Sequence, residues 1–153
     1  MSKISPDKLV VTSGWFMRIL AIDHGTKRMG IALSDELGMI AQPLEFIPAE
    51  PFAEFLDRLK EILSEKQVEL VLVGMPRNMD GSCGPAALKV QQFVAVLKDA
   101  IAIPIQTLDE RLTSAQANRV LIEGNVRREK RRDKVDKMAA AILLQSYLDG
   151  RSN

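Results

Sequence analysis

Residues Ile19 to Ile22 form an unbroken apolar run that ends on a carboxylate, Asp23. A strand without hydrophobic alternation is one covered on both faces, so this run needs a layer on each side. An Asp at its exit is costly unless it is paired, hydrogen-bonded or bound to a cation. The corner that follows, His24-Gly25-Thr26-Lys27-Arg28, leads into a second apolar run through Gly30, Ile31, Ala32 and Leu33. The pattern reads as strand, tight turn, strand. Gly25 and Gly30 let the backbone approach a neighbour or ligand closely, while Thr26, Lys27 and Arg28 set donors and positive charge beside Asp23. An ordinary hairpin whose Asp bonds to its own turn would have the same spacing.

The rest of the chain supplies the layers. Pro43 to Ile47 can form an edge strand that begins with proline. Phe52, Phe55, Leu56, Leu59, Ile62 and Leu63 recur at helical spacing, which predicts an amphipathic helix over 50–66 behind Pro51. Leu70 to Val73 is a second doubly buried strand, closed by Gly74-Met75-Pro76, and a polar loop follows. Pro85 opens a helix with the stripe Val90, Phe93, Val94, Leu97 and Ile101. Pro104 to Thr107 gives a fifth strand ending at Leu108-Asp109-Glu110-Arg111. Thr113-Ser114-Ala115-Gln116 is a capping box for a third helix that stops at Gly124. The last helix carries Val135, Met138, Ala139, Ile142, Leu143 and Tyr147 as its buried stripe and ends at Gly150.

The order β-β-β-α-β-α-β-α-α describes one α/β domain, in which strands one, four and five form a central parallel part joined by helical crossovers. Residues 1–16 read as a loosely held extension ahead of a single domain over 17–150. A length of 153 residues with 46% hydrophobic and 27% charged side chains suits such a domain. The net charge of +1 advertises no polyanion partner through a global field. It hides an asymmetry, since Arg127 to Lys137 holds seven basic residues against Glu129, Asp133 and Asp136. One cysteine, Cys83, allows no internal disulfide and fits a reducing compartment. Without a bilayer-length apolar run or a visible signal peptide, a soluble cytoplasmic protein is expected, as a monomer or weak homodimer with no membrane partner.

Polar groups gather at the carboxyl ends of the parallel strands, where open α/β sheets place ligands. Asp23, Asp109-Glu110 and Asp136, the last in the first turn of the final helix, bring carboxylates from separate elements without His or Cys. That donor set suits a hard cation such as Mg²⁺ or Mn²⁺, which can activate water for phosphodiester cleavage. Taken singly, Asp136 with Asp133 could serve a helix N-terminus, and Glu110 could pair with an arginine. His24 suits packing or hydrogen bonding better than metal binding, and Cys83 has no second histidine to activate it as a nucleophile. The basic run suits phosphate contacts, through Arg127, Arg128, Arg131 and Arg132. Its mutual repulsion makes Gly124 to Arg132 a candidate flap. Thr26, Lys27 and Arg28 are placed to hold a substrate backbone next to Asp23.

Four segments carry a family resemblance: Asp23-His24-Gly25-Thr26-Lys27-Arg28-Met29-Gly30-Ile31-Ala32, Val73-Gly74-Met75-Pro76-Arg77-Asn78-Met79-Asp80-Gly81, Asp109-Glu110-Arg111-Leu112-Thr113-Ser114, and Lys134-Val135-Asp136-Lys137-Met138-Ala139-Ala140. In this order, and spanning Met17 to Leu148, they resemble the YqgF/RuvX family. These are bacterial proteins described as pre-16S rRNA nucleases and as relatives of Holliday junction resolvases. The resemblance implies a ribonuclease H-like fold, with a mixed five-stranded sheet flanked by helices. It also implies a metal-dependent hydrolase of phosphodiester bonds, processing the 5′ end of precursor 16S rRNA, with branched DNA as a second substrate class. Asp23, Glu110 and Asp136 are then the catalytic metal ligands. The chain departs from the junction resolvases at the end of strand four, where they carry a carboxylate and it has Val73-Gly74. Asp-x-Gly-Thr-x-x-x-Gly is also similar to the first phosphate turn of the ATP-binding actin, Hsp70 and sugar-kinase superfamily, although this chain has one domain's worth of residues and no second such turn. A non-catalytic, RNA-binding ribosome-assembly factor with the same fold is the other alternative.

Overall fold

The computed structural model describes residues 17–76, 84–110 and 128–152, with backbone alone for 128–137 and 152. The N-terminal extension, the loop bearing Cys83 and the helix expected between Thr113 and Gly124 lie outside the described residues. The described elements are β1 (Ile19–Asp23), β2 (Arg28–Ser34), β3 (Ala41–Pro48), α1 (Phe52–Glu65), β4 (Leu70–Met75), α2 (Pro85–Ala100), β5 (Ile105–Asp109) and α3 (Arg128–Ser152).

The strands form one mixed sheet in the order β3-β2-β1-β4-β5. β1 pairs antiparallel with β2, Asp23 opposite Gly30, and parallel with β4, Ile22 beside Val73. β4 continues in parallel to β5, with Gly74 beside Leu108 and Met75 beside Asp109. The unalternating runs Ile19–Ile22 and Leu70–Val73 are thus the two central, doubly covered strands. β5 is parallel as expected but is an edge, not a central strand, and none of its residues is fully buried. Its polar Gln106 and Thr107, both exposed, account for the difference.

The two faces of the sheet hold separate cores. On one face, Leu20, Ile22, Ile31, Val71 and Val73 meet α1 through Phe55, Leu59, Ile62 and Leu63, and α2 through Val90, Phe93, Val94 and Leu97. On the other, Ile19, Ala21, Ala32 and Leu72 meet α3 through Ala140, Ala141, Leu143, Leu144 and Leu148. The α1 and α2 stripes follow the predicted spacing. The α3 stripe is rotated from the predicted one: Leu144 and Leu148 are buried, while Met138, Ala139, Ile142 and Tyr147 are only partly so. Ala139 to Leu144 is apolar on every side, so spacing there could not choose a face, and the paired alanines Ala140 and Ala141 did so by letting the helix come close.

α3 also begins earlier and ends later than predicted. Arg128 to Arg132 are helical, so the candidate flap is in part the first turns of α3, and Asp136 sits in its third turn. Gly150 does not stop the helix. The C-terminal half of α3 is tied to the β2–β3 turn: Gln145 Oε1 accepts from the Ala41 amide at 2.9 Å, and Gln145 Nε2 donates to the Met39 carbonyl at 3.0 Å. Because that turn lies at the amino end of β1, α3 runs antiparallel to β1.

Two polar features fasten the edges. The buried Ser34 Oγ accepts from the Ile19 amide at 2.8 Å, which fixes where β1 starts. Arg58 on α1 makes a two-pronged pair with Glu45 on β3, at 2.9 and 2.7 Å.

Candidate active site

The carboxyl ends of β1, β4 and β5 lie side by side because the three strands are adjacent and parallel. Asp23 is the last residue of β1, and Glu110 is the first residue past β5. The Glu110 amide donates to the Met75 carbonyl at 3.2 Å, carrying the β4–β5 ladder one step beyond the strand. From there its side chain lies over Gly74 and its carboxyl group hydrogen-bonds that of Asp23. The sheet therefore brings together two of the three carboxylates singled out in the sequence, from strands that are not sequence neighbours.

A pair of carboxyls this close cannot comfortably carry two charges. Glu110 is pushed up to about 7, first by burial, then by the charge of Asp23 and the hydrogen bond with it, with Asp109 adding to the same effect. Among the described residues no three His, Cys, Asp or Glu side chains are gathered as a ready metal site. The side chain of Asp136, the expected third member, lies outside the described residues, as do those of Arg127, Arg128, Arg131 and Arg132.

The corner after β1 is built by glycine. A Cβ on Gly25 would run into the Arg28 carbonyl oxygen, backbone that cannot step aside. The tight corner turns His24 inward, where its ring packs on Phe93 of α2 with centroids 4.9 Å apart. Burial lowers the His24 pKa, and the Lys89 charge adds to this against the opposing pull of Asp23. His24 is thus a packing residue of the site wall.

Between this corner and the first turns of α2 lies a cleft of about 210 Å³. His24, Thr26, Gly74, Pro76, Lys89 and Glu110 are among the residues lining it. Of the three corner residues expected to hold substrate, Thr26 reaches this cleft. Lys27 is exposed beside it. Arg28 opens β2 and lays its guanidinium over the Phe46 ring of β3, 4.0 Å from the centroid, which ties it to the neighbouring strand. Lys89, also in the cleft wall, is a site residue that no motif in the sequence marks. Its signal was its place one turn after Pro85, the proline that starts α2 behind strand four.

A family model described as "RuvX: Holliday junction resolvase" matches residues 17–150. A protein of Desulforamulus reducens named "Putative pre-16S rRNA nuclease" is 48% identical over 133 residues, covering 87% of this chain and 97% of its own length. One of the same name from Halothermothrix orenii is 46% identical over 133 residues, 87% of this chain and 95% of its own. Among solved structures, T. thermophilus RuvC in complex with a Holliday junction substrate superposes with a TM-score of 0.53 at 19% identity, covering 90% of this chain and 96% of that one. The fowlpox virus Holliday junction resolvase gives 0.52 at 15% identity, covering 88% and 99%. Similarities at that identity speak for the fold, a ribonuclease H-like sheet, and the sequence matches speak for the family. The chain belongs to the RuvX family of Holliday junction resolvases.

Proposed function

We propose that this protein is a nuclease that hydrolyses phosphodiester bonds at the Asp23–Glu110 corner, with a divalent cation held by Asp23, Glu110 and Asp136. The observation that carries the reading is the meeting of the Asp23 and Glu110 carboxyls beside a cleft that Glu110 helps to line. Two carboxyls crowded into a partly buried corner gain most from a hard cation, because it relieves their repulsion and takes oxygen ligands. The donor set fits Mg²⁺ or Mn²⁺ on these grounds. When bound there, such an ion supplies an activated water and neutralises charge that develops on the phosphate.

The direction of α3 supports Asp136 as the third carboxylate. From Gln145, level with the amino end of β1, nine residues back along the helix reach Asp136 after about 13 Å at 1.5 Å per residue. The four steps of β1 from Ile19 to Asp23 span about 13 Å as well. The remaining roles follow from position and charge. Thr26 and Lys89 face the cleft and can hold the phosphate oxygens beside the carboxyls. Lys27 lies on the approach. Arg127, Arg128, Arg131 and Arg132 contact the flanking strand by phosphate alone, as a basic run without aromatics does.

The substrate follows the relatives' printed name: precursor 16S rRNA, cut in the cytoplasm by a monomer or weak homodimer over residues 17–150. Branched DNA is the competing substrate, from the family's description. A cleavage panel of pre-16S rRNA fragments, single strands and four-way junctions in Mg²⁺ and Mn²⁺ separates them. Metal-dependent cutting of the rRNA precursor is expected. Cutting that persists in chelator or in Glu110→Gln would refute the site, and RNA binding without any cleavage would make the protein an assembly factor.

A further inference from the structure

We infer that Gly74 is a positioning residue: β4 gives up a side chain there so that Glu110, arriving from β5, can fill the space and reach Asp23. The inference rests on the reading of Glu110 as part of the reacting centre. Gly74 lies inside β4, buried and paired with Leu108. A glycine inside a buried strand loses packing and costs conformational entropy, so it marks a close approach or an irregularity. The ladder through Gly74 is regular, and the one glycine with a left-handed backbone among the described residues is Gly38, in the β2–β3 turn. Backbone geometry therefore does not require glycine at 74.

Space does. A Cβ on Gly74 would sit 2.7 Å from Glu110 Oε1, 2.8 Å from its Cγ and 2.9 Å from its Cδ. All three nearest atoms belong to this one side chain. Gly30, by contrast, would meet Phe46 at 3.4 Å and the Asp23 Cβ at 3.6 Å, contacts that a small shift absorbs. Glu110 cannot back away as a whole, because its amide is held by the Met75 carbonyl at 3.2 Å and Asp109 is in register with Met75. Any side chain at 74 must then turn the Glu110 carboxyl out of its place beside Asp23, while leaving the strand itself intact.

The test is a double-mutant cycle between positions 74 and 110 in the full chain. Gly74→Ala should fold, yet bind Mn²⁺ more weakly by calorimetry and cleave roughly 10–100-fold more slowly, the scale set by an ångström-sized misplacement of a reacting group. Glu110→Asp would keep the Cγ that the added methyl meets at 2.8 Å, whereas Glu110→Ala removes every one of these contacts. The Gly74→Ala penalty in Mn²⁺ affinity should therefore shrink at least several-fold in the Glu110→Ala background. In chelator, without metal or substrate, any melting shift caused by Gly74→Ala should disappear in the Glu110→Ala background. Wild-type Mn²⁺ affinity and rate in Gly74→Ala would overturn the inference, as would a melting shift of equal size with and without the Glu110 side chain. A wild-type protein that neither binds Mn²⁺ nor cleaves would defeat the nuclease reading instead, and the metal-free melting cycle would still report on the contact.

Discussion

Asp23→Asn keeps the size of the side chain at the end of β1 and removes its charge. In the folded protein Glu110 titrates at about 7, against an ordinary value of 4.5. A carboxyl whose folded pKa is raised adds full stability below its unfolded value and loses it as pH rises through the folded one. Stability should therefore fall from about pH 4.5 to about pH 7 and stay low above. The shift corresponds to about 3 kcal/mol at 1.36 kcal/mol per unit, and screening at this partly exposed site reduces it to about 2. Burial is its largest cause and Asp23 the next, so the substitution should return about 1 kcal/mol at pH 8 and almost nothing at pH 4. For a chain of this length that is a rise of roughly 2–4 °C in melting temperature.

Melting curves of both proteins in chelator, from pH 4 to 8.5, read this directly. The Asp23→Asn curve should lie above the wild-type curve at pH 8 and converge with it in acid. With Mn²⁺ at 100 times its dissociation constant, the wild type should gain about 2.7 kcal/mol at pH 8, and the variant should gain little and cleave nothing. Parallel pH profiles, or a variant less stable than wild type at pH 8, would refute the account of a strained carboxyl pair.

Neutralising Arg127, Arg128, Arg131 and Arg132 together should weaken nucleic-acid binding and flatten its dependence on salt by about 0.7–0.9 for each phosphate no longer neutralised; an unchanged slope in a filter-binding titration would remove the basic run from the interface. Lys89→Ala should raise KM and lower the salt slope by the equivalent of about one phosphate while leaving the melting temperature within about 1 °C, since the side chain is exposed at the cleft rim. Leu144→Ala, at a position 0% exposed between α3 and the sheet, should cost about 2–5 kcal/mol in denaturant unfolding. A smaller loss would mean that α3 does not close the second core.

The two central strands were legible because burial on both faces leaves no polar residue inside Ile19–Ile22 or Leu70–Val73, and few other structures suit such runs. Helices α1 and α2 were legible for the complementary reason, each having one wet face that sharpens the stripe. α3 was not, because the seven apolar residues from Met138 to Leu144 erase the contrast between faces. The carboxyl pair was legible in part. Parallel strands turn their carboxyl ends the same way, so Asp23 and Glu110 lie at one end of the sheet once β4 sits between β1 and β5. Their hydrogen bond depends on how far the Glu110 side chain folds back, which no spacing encodes. Arg28 illustrates the opposite case, a cation beside the site in sequence whose guanidinium rests on Phe46, a residue 18 positions away on a neighbouring strand.

The same logic explains why glycine recurs at the corner, at 25 and at 74. Asp23, Glu110 and the α2 wall converge where β1 and β5 lie one strand spacing, about 4.8 Å, on either side of β4, which leaves room for one extended side chain over β4. Gly25 lets the chain turn without obstruction, and Gly74 leaves that one space to Glu110. The crowding that raises the Glu110 pKa and the crowding that requires glycine at 74 are therefore one constraint seen through charge and through volume. An enlargement at 74 and a neutralisation at 23 should both lower the Glu110 pKa in the metal-free protein, the first by moving its carboxyl away and the second by removing its neighbour's charge. They should differ in acid, where the Asp23→Asn difference disappears and the steric penalty of Gly74→Ala remains.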